Sequence, residues 1–176
     1  APDIALITNI YPTHLEGFGS VEAIIKEKVS IADGLKKGRS LLVNGDFDSL
    51  CGYCRQNGIE ISTFGKSKSC NIHPEQISGN HGQGVLVIDA TRVTVPLAGA
   101  ANIENAIAAW ALCSRFGISA DNFATAMSAV TPLEMRLELL EIGSVVVIND
   151  CYNANPASMA NALNYMNDIA KARRRV

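Results

Sequence analysis

Residues 4–28 constrain the fold of this chain more than any other stretch. They form an apolar strand that runs into a polar loop and then a helix. The strand reads IALIT, and the loop after it holds Asn9 and His14. A helix with Ser20 as its N-cap, predicted to run to about Leu35, carries Lys28. Ligands of open α/β sheets bind outside the carboxyl ends of the strands, so this stretch is a candidate ligand site. A solvated turn with an ordinary loop histidine is the alternative.

The next elements continue a strand, helix, strand order. Residues 40–44 read SLLVN, a short apolar strand, and the turn after it contains Asp46, which can cap the following helix. Residues 58–64 alternate as a strand does. Residues 85–89 and 92–96 predict a β-hairpin. This order predicts an α/β fold.

The second half of the chain predicts two more helices and a second domain. The helix at 102–116 is rich in Ala, with its buried positions expected at Ile103, Ile107, Trp110 and Leu112. Thr131-Pro132 interrupts the helical pattern after a helix at 120–129, so we place a domain boundary near Thr131, between residues 1–131 and 132–176. Beyond it come strands at 137–141 and 145–149. The second, almost entirely apolar, is typical of a buried parallel strand before the helix that Pro156 opens.

Composition excludes several classes of protein. The 176 residues are 48% hydrophobic and 18% charged with a net charge of -2, which indicates a globular chain without a general attraction to nucleic acid. No run of about 20 apolar residues occurs, and the beginning of the chain does not resemble a signal peptide. We therefore expect a cytoplasmic monomer with neither a membrane nor a nucleic-acid partner.

Five cysteines, an odd number, favour reduced thiols over a disulfide framework. Cys51 and Cys54 form one closely spaced pair, and Cys70 and His73 form another. The gap between the pairs is near that of zinc-ribbon sites, so a zinc-binding structural module is one alternative for this chain. Incidental thiols in a helix that begins near Asp46 are the other.

Three further polar groups of residues lie at helix starts or strand ends. Asn102 and Asn105 fall on one face of a helix N-terminus, where amides can bind a base or sugar. Arg136 carries a guanidinium suited to phosphate oxygens. A dense polar loop, DCYNANP at 150–156, follows an apolar strand. The sequence contains no G-x-x-x-x-G-K-[ST] loop, so a triphosphate cradle is not part of it.

Six stretches spread over the whole chain form a recognisable set. They read PDIALITNIYPTHLEGFGSVEAIIKEK, NGDFDSL, STFG, GAANIENAIAAWA, PLEMRLELL and VVVINDCYNANPASM. Together they resemble the Mur ligases of peptidoglycan synthesis, and the D-x-Y-N-A-N-P loop resembles the members that add D-alanyl-D-alanine to UDP-N-acetylmuramoyl-tripeptide. The resemblance implies the later part of a P-loop-type central ATPase domain at 1–131 and the first βα units of a Rossmann-like domain at 132–176. The UDP-sugar domain, the P-loop and a magnesium-binding glutamate would precede Ala1.

The resemblance also implies a metal site in the opening stretch. Lys28, which follows His14 by 14 residues, matches the lysine that this family carbamylates so that its added carboxylate holds a second Mg²⁺. His14 matches the histidine beside that metal. Ser30 stands where the family usually has glutamate.

The nucleotide and substrate contacts are implied in the same way. Asn102 and Asn105 match the asparagines that line the adenine pocket. Arg136 and Asp150 match groups that reach the phosphates and ribose. Asn153 and Asn155 match parts of the loop that closes on nucleotide and substrate. Ala101 stands where the family usually has histidine before the first of these asparagines.

The implied reaction forms an amide bond. A carboxylate is a poor electrophile, so the family transfers the γ-phosphoryl group of ATP onto it, and the amine of the incoming dipeptide displaces phosphate, while Mg²⁺ neutralises the developing charge. The implied partners are ATP, Mg²⁺, UDP-N-acetylmuramoyl-tripeptide and D-alanyl-D-alanine, and this chain alone is expected to be inactive. A degenerate, non-catalytic ligase-like domain is the alternative that Ala101 and the missing P-loop motivate.

Overall fold

The computed structural model describes residues 1–11, 18–36, 38–39, 41–80 and 83–169, which form an α/β fold as predicted. The chain divides into two compact units. The first comprises Ala1–Pro74 with Ile107–Ile118, and the second comprises Glu75–Ala106 with Ser119–Val176. The domain boundary near Thr131 stays a prediction from the sequence.

A parallel sheet organises the first unit. Its strands are β1 (Ala5–Ile7), β2 (Leu41–Asn44) and β3 (Ile61–Phe64), in the order β1-β2-β3, so β2 lies in the centre. The connections contain two helices, α1 (Val21–Val29) and α2 (Asp48–Gln56). Every residue of β2 is buried, because the strand has a neighbour on both sides and packs against helical side chains. The core around it consists of Ala5, Ile7, Ile10, Ile24, Ile25, Val29, Leu41, Val43, Leu50, Cys51 and Cys54.

Helix α1 begins as predicted and ends earlier. The Ser20 hydroxyl accepts a hydrogen bond from the Ala23 N–H at 3.1 Å, which is an N-cap contact. The α-helix ends at Val29 and continues as a 3₁₀ turn, Ser30–Gly34, instead of reaching residue 35 as an α-helix. The Ser30 hydroxyl donates to the Glu27 carbonyl at 2.7 Å, so this side chain hydrogen bonds within its own helix.

Asp46 does not cap α2, contrary to the sequence-based prediction. Phe47 occupies the position before the helix and makes no side-chain capping bond. The Asp46 carboxylate instead accepts hydrogen bonds from the backbone N–H groups of Lys66 and Ser67, which follow β3.

An antiparallel sheet forms the first part of the second unit. The hairpin of β5 (Gln83–Ile88) and β6 (Thr91–Val95) confirms the prediction, while β4 (Gln76–Asn80) pairs with β5 and was not predicted. Helix α3 (Ala100–Ser114) begins in this unit, and α4 (Ala120–Ser128) packs against β6. The residues buried here include Leu86, Ile88, Val93, Val95, Phe123 and Met127. In α3, Ile107 and Trp110 are buried as expected, Ile103 is half-buried and Leu112 is exposed.

The strand at 145–149 is not a buried parallel strand. β7 (Glu138–Ile142) and β8 (Val145–Asn149) form an antiparallel hairpin, and Val145 at the start of β8 is 57% exposed. All five residues of β8 pair with β7, from Asn149 opposite Glu138 to Val145 opposite Ile142. Helix α5 (Pro156–Ile169) follows the hairpin, with Pro156 as its first residue.

None of the helices in the described ranges is long and apolar enough to cross a membrane. The longest, α3, has 15 residues. About 20 apolar residues are needed to span a bilayer as a helix.

Candidate functional site at the carboxyl edge of the parallel sheet

The three strands of the first unit are parallel, so their carboxyl ends meet at one edge of the sheet. Thr8 and Asn9 follow β1, Asn44 is the last residue of β2, and Gly65 follows β3. Polar groups from the first two of these ends, together with Lys28 from α1, make direct hydrogen bonds at this edge. This is the edge at which α/β sheets bind ligands.

Lys28 lies in the last turn of α1, and its ammonium points back to the loop after β1. The Lys28 Nζ atom donates to the Asn9 carbonyl oxygen at 2.9 Å. The side chain is half-buried, and burial lowers the pKa of Lys28 below its ordinary value because the charged form loses solvation. A lower pKa increases the fraction of neutral amine, which is the form that reacts with an electrophile.

Asn44 links the ends of β1 and β2. It is only 2% exposed, and its Nδ2 atom donates to the Thr8 carbonyl at 2.9 Å. Its Oδ1 atom accepts from the backbone N–H of Asp46 at 3.0 Å. Both ends of this amide therefore have a partner, as a buried polar group requires.

Asp46 links the ends of β2 and β3. Its two carboxylate oxygens accept from the backbone N–H groups of Lys66 at 2.8 Å and Ser67 at 3.0 Å. Gly65 allows this approach, because a Cβ atom there would lie 2.9 Å from the Asp46 carboxylate. The turn after the central strand thus holds both neighbouring loops.

An aromatic contact adds to the link between the loop after β1 and the start of α2. The rings of Tyr11 and Phe47 meet edge to face, with centroids 5.6 Å apart. His14 lies outside the described residues, so its predicted place beside Lys28 stays a prediction.

Within the second unit, Asn102 and Asn105 lie on one face of α3, as predicted. The Asn102 Nδ2 atom donates to the Ala98 carbonyl at 2.7 Å, and the Asn105 Nδ2 atom donates to the Asn102 Oδ1 atom at 3.4 Å. Asn102 is half-buried and Asn105 is exposed. The outer amide of the pair is therefore available at the surface of this helix.

In the second unit, Arg136 lies just before β7 and Asp150 directly after β8, so both are at the same end of this hairpin. The Arg136 guanidinium lies over the ring of Tyr152, 4.1 Å from its centroid, and the Asp150 carboxylate accepts the Leu137 N–H at 3.1 Å. The residues on both sides of Arg136 have positive φ, 59° at Met135 and 49° at Leu137. Non-glycine residues rarely adopt this backbone conformation, and it is often found at binding sites.

Asn153 and Asn155 both bond within their own loop. The Asn153 Oδ1 atom accepts from the Ala154 N–H at 2.9 Å. The Asn155 Oδ1 atom accepts from the Ser158 N–H at 3.0 Å, which makes Asn155 the N-cap of α5. The predicted role of these residues in closing on a nucleotide stays a prediction.

The zinc alternative is wrong for the residues on which it was based. In the described part of the chain, no group of three or more His, Cys, Asp or Glu side chains could hold a metal ion. Cys51, Cys54 and Cys70 are buried, and burial raises the pKa of each thiol because the thiolate loses solvation. The His73 Nδ1 atom bonds to the Cys70 carbonyl at 2.9 Å.

A protein-family match includes all the residues of the parallel-sheet edge described above. Residues 1–113 match the family described as the Mur ligase middle domain. This chain belongs to the Mur ligase family. A Mur ligase of Bacillus subtilis, UDP-N-acetylmuramoyl-tripeptide--D-alanyl-D-alanine ligase, is 34% identical over 167 residues, which are 92% of this chain and 35% of that protein. The chain thus spans about a third of the length of this relative.

Solved Mur ligase structures share the fold. MurF from Acinetobacter baumannii superposes with a TM-score of 0.83 at 25% identity, over 94% of this chain and 37% of that one. MurF from Thermotoga maritima, solved in complex with ADP, has a TM-score of 0.79 at 20% identity, over 95% of this chain and 39% of that one. The Mur ligase fold predicted from the sequence motifs is therefore confirmed.

Two residues at this edge, Asn44 and Asp46, are not marked as part of the site by the local sequence pattern. The local pattern places Asn44 only at the end of a strand and the start of its turn, and Asp46 only at a helix cap. The signal that could have found them is a polar residue at the end of a strand that is otherwise entirely apolar. A buried position there requires hydrogen-bond partners, and the end of β1 and the turn after β2 supply them for Asn44.

Proposed function

We propose that this chain is part of an ATP-dependent ligase that adds D-alanyl-D-alanine to UDP-N-acetylmuramoyl-tripeptide in peptidoglycan synthesis. The name of the Bacillus subtilis relative supports the reaction class and the substrates. The observation in the structure that carries the proposal is Lys28, which is held on the Asn9 carbonyl at the ligand-binding edge of the sheet and has a lowered pKa.

Lys28 fits the role of a carbamylated lysine that holds Mg²⁺. A lysine must be neutral to take up carbon dioxide, and the partial burial of Lys28 favours the neutral amine. The carbamate would present carboxylate-like oxygens, which are the ligands that Mg²⁺ prefers. We propose that Lys28, as the carbamate, and His14 form one side of this metal site.

The polar residues of the second unit fit a nucleotide. The exposed amide of Asn105 suits the hydrogen-bonding edge of adenine, and we propose that it lines the adenine pocket together with its neighbour Asn102. The Arg136 guanidinium, oriented by its stacking on Tyr152, suits phosphate oxygens, and we propose that Asp150 contacts the ribose or phosphates. We propose that Asn153 and Asn155 shape the loop that closes over nucleotide and substrate.

The proposed chemistry divides between ATP and the chain. ATP would supply the phosphoryl group that activates the substrate carboxylate for attack by the dipeptide amine. The residues of this chain would position the partners and stabilise negative charge, with Arg136 and the metal-holding Lys28 as the principal groups. The chain spans 35% of its Bacillus subtilis relative, so we propose that it is inactive alone.

We further propose a division at Thr131 into a central-domain part and the start of a carboxyl-terminal domain, and a cytoplasmic location. The sequence break at Thr131-Pro132 and the antiparallel hairpin that begins at Glu138 support the division.

Replacement of Lys28 in the full-length protein tests this function. We expect Lys28→Ala to lower phosphate release in the presence of ATP, Mg²⁺ and both substrates by at least about a hundredfold, because a metal ligand is lost. Lys26→Ala, which removes an exposed lysine of the same helix, is the matched control and should retain activity.

Two results would overturn the proposal. Turnover at the normal rate in Lys28→Ala would exclude the metal role. A full-length protein without replacements that releases no phosphate with these substrates would instead support the degenerate, non-catalytic alternative.

A further inference from the structure

The side-chain amide of Asn44 has one orientation that satisfies its surroundings. The backbone N–H of Asp46 points to one end of this amide and the Thr8 carbonyl points to the other, at 3.0 and 2.9 Å. The oxygen must face the N–H and the nitrogen must face the carbonyl. A rotated amide would place an oxygen against a carbonyl and a nitrogen against an N–H.

The bond from Asn44 fixes the backbone that receives Lys28. Thr8 and Asn9 share a peptide unit that is planar, so holding the Thr8 carbonyl also fixes the orientation of the Asn9 N–H. The carbonyl of Asn9, the next one along the chain, accepts the Lys28 Nζ atom at 2.9 Å. The buried side chain of Ile10 follows directly, so the backbone is held on both sides of this carbonyl.

Burial strengthens the effect of Asn44. The residue is only 2% exposed, so its amide depends on the Thr8 carbonyl and the Asp46 N–H instead of water for its hydrogen bonds. If the amide were removed, the Thr8 carbonyl would lose the side chain that ties it to β2, and the backbone at Thr8 would no longer be held in place.

Asp46 provides an internal comparison, because its side chain holds the loop on the opposite side of β2. The Asp46 carboxylate accepts hydrogen bonds from the Lys66 and Ser67 N–H groups after β3. Replacing this side chain leaves the backbone N–H that Asn44 uses. Replacing Asn44 should therefore loosen the loop after β1, and replacing Asp46 should loosen the loop after β3. Comparing the two variants separates an effect on the loop after β1 from general damage to this edge of the sheet.

We propose that Asn44 is a positioning residue that sets the place of Lys28 by fixing the loop after β1. The proposal rests on the function proposed above, in which Lys28 carries the site. Both ends of the Asn44 amide are bonded to the backbone, so in this proposal it acts through the Thr8 carbonyl and the peptide unit that joins Thr8 to Asn9. A lysine whose amine must face a metal within a few tenths of an ångström depends on such support.

The mobility of the Lys28 side chain in the 176-residue chain tests the proposal. Nuclear magnetic resonance relaxation of the Cε methylene group reports how tightly each lysine side chain is held. We expect Lys28 to be more ordered than the exposed Lys26 of the same helix. We expect Asn44→Leu, which keeps the size of the side chain and removes both hydrogen bonds, to abolish this difference.

Asp46→Ala is the matched control, and it should leave Lys28 more ordered than Lys26 while it loosens the loop at 66–67. Asn44→Ser is the second variant, to be used if Asn44→Leu does not fold. Its shorter, polar side chain disturbs the packing around β2 differently. An unchanged Lys28 signal in either folded Asn44 variant would overturn the proposal. An equal loss of order in Asp46→Ala would also overturn it, because the edge would then act as a whole.

This readout needs neither ATP nor turnover, so its failure is distinct from failure of the proposed ligase function. If Lys28→Ala abolishes activity while Asn44→Leu leaves Lys28 ordered, the function stands and the positioning role falls. In the full-length protein, we expect Asn44→Leu to lower kcat about tenfold with little change in KM, since the substrates are contacted by other groups.

Discussion

Strands β2 and β8 have similar sequences, LLVN and VVVIN, and very different environments. All four residues of β2 are buried between two parallel neighbours. β8 pairs with β7 alone among the described strands, and Val145 and Val147 in it are 57% and 36% exposed. An apolar run therefore predicts a strand, but the number and direction of its neighbours determine how much of it is buried.

The polar residues that end the two strands differ in the same way. Asn44 at the end of β2 is 2% exposed and bonds to the Thr8 carbonyl after β1 and to the Asp46 N–H in its own turn. Asn149 at the end of β8 is half-buried and donates to Glu138, its partner in the hairpin register. The first bond joins distant parts of the chain, while the second only reinforces a local pair. The candidate site at the parallel edge depends on the first kind of bond.

The largest expected contrast comes from one substitution made in both sheets. Leu41→Ala in β2 removes a side chain that is fully buried and should lower the free energy of unfolding by about 3 kcal/mol. Leu140→Ala in the hairpin, at a residue 36% exposed, should cost about 1 kcal/mol. Urea titrations followed by circular dichroism measure both. Equal losses would show that the two sheets are equally well packed.

A smaller contrast is expected at two glycines in turns. Gly45→Ala would place a Cβ atom 2.6 Å from the Cys70 sulfur and 3.1 Å from the Thr63 Cβ atom, so we expect a loss of about 2 kcal/mol. Gly143→Ala at the hairpin turn meets no neighbouring atom but has φ of 61°, and the strain should cost about 1 kcal/mol. Thermal unfolding of the two variants compares the stability lost to crowding at Gly45 with that lost to backbone strain at Gly143. A smaller loss in Gly45→Ala than in Gly143→Ala would contradict the tight packing of the parallel edge.

The smallest expected effect on the free energy of unfolding comes from the buried thiols of the first unit, and it is confined to alkaline pH. Burial raises the pKa of Cys54 above the ordinary value of 9.0, so the folded state binds more protons than the unfolded state as pH rises above 9. Stability from this group is fully present below pH 9 and decreases above it. We expect Cys54→Ala to reduce the loss of unfolding free energy between pH 8 and about 10. The same alkaline loss in both proteins would exclude this contribution.

The sequence was sufficient where a local pattern decides the structure. Ser20 caps α1, the 85–96 hairpin forms, and Ile107 and Trp110 are buried because helix periodicity and turn chemistry act over a few residues. β4 was missed because QISGN is polar and contains glycine, and its strand conformation comes from pairing with β5. β8 was assigned the wrong partner direction because an apolar run carries no information about it.

The same limit applies to the site. Lys28 and Asn9 were placed in one candidate stretch from the sequence, and the structure brings them into contact. The roles of Asn44 and Asp46 could not be predicted, because each depends on a partner from another strand end, across the turn of the central strand. Asn44 is 36 residues from Thr8 in the chain, a separation that a local pattern does not encode.

This separation has a consequence for how the site forms during folding. A strand and helix that are adjacent in sequence can approach each other early, but the bond between Asn44 and Thr8 requires closure of a loop of 36 residues, whose entropic cost must be met first. The loop after β1 would therefore acquire its final shape only when β2 has joined β1. We expect the environment of Lys28 to report late folding events, and its side chain to become ordered together with the sheet.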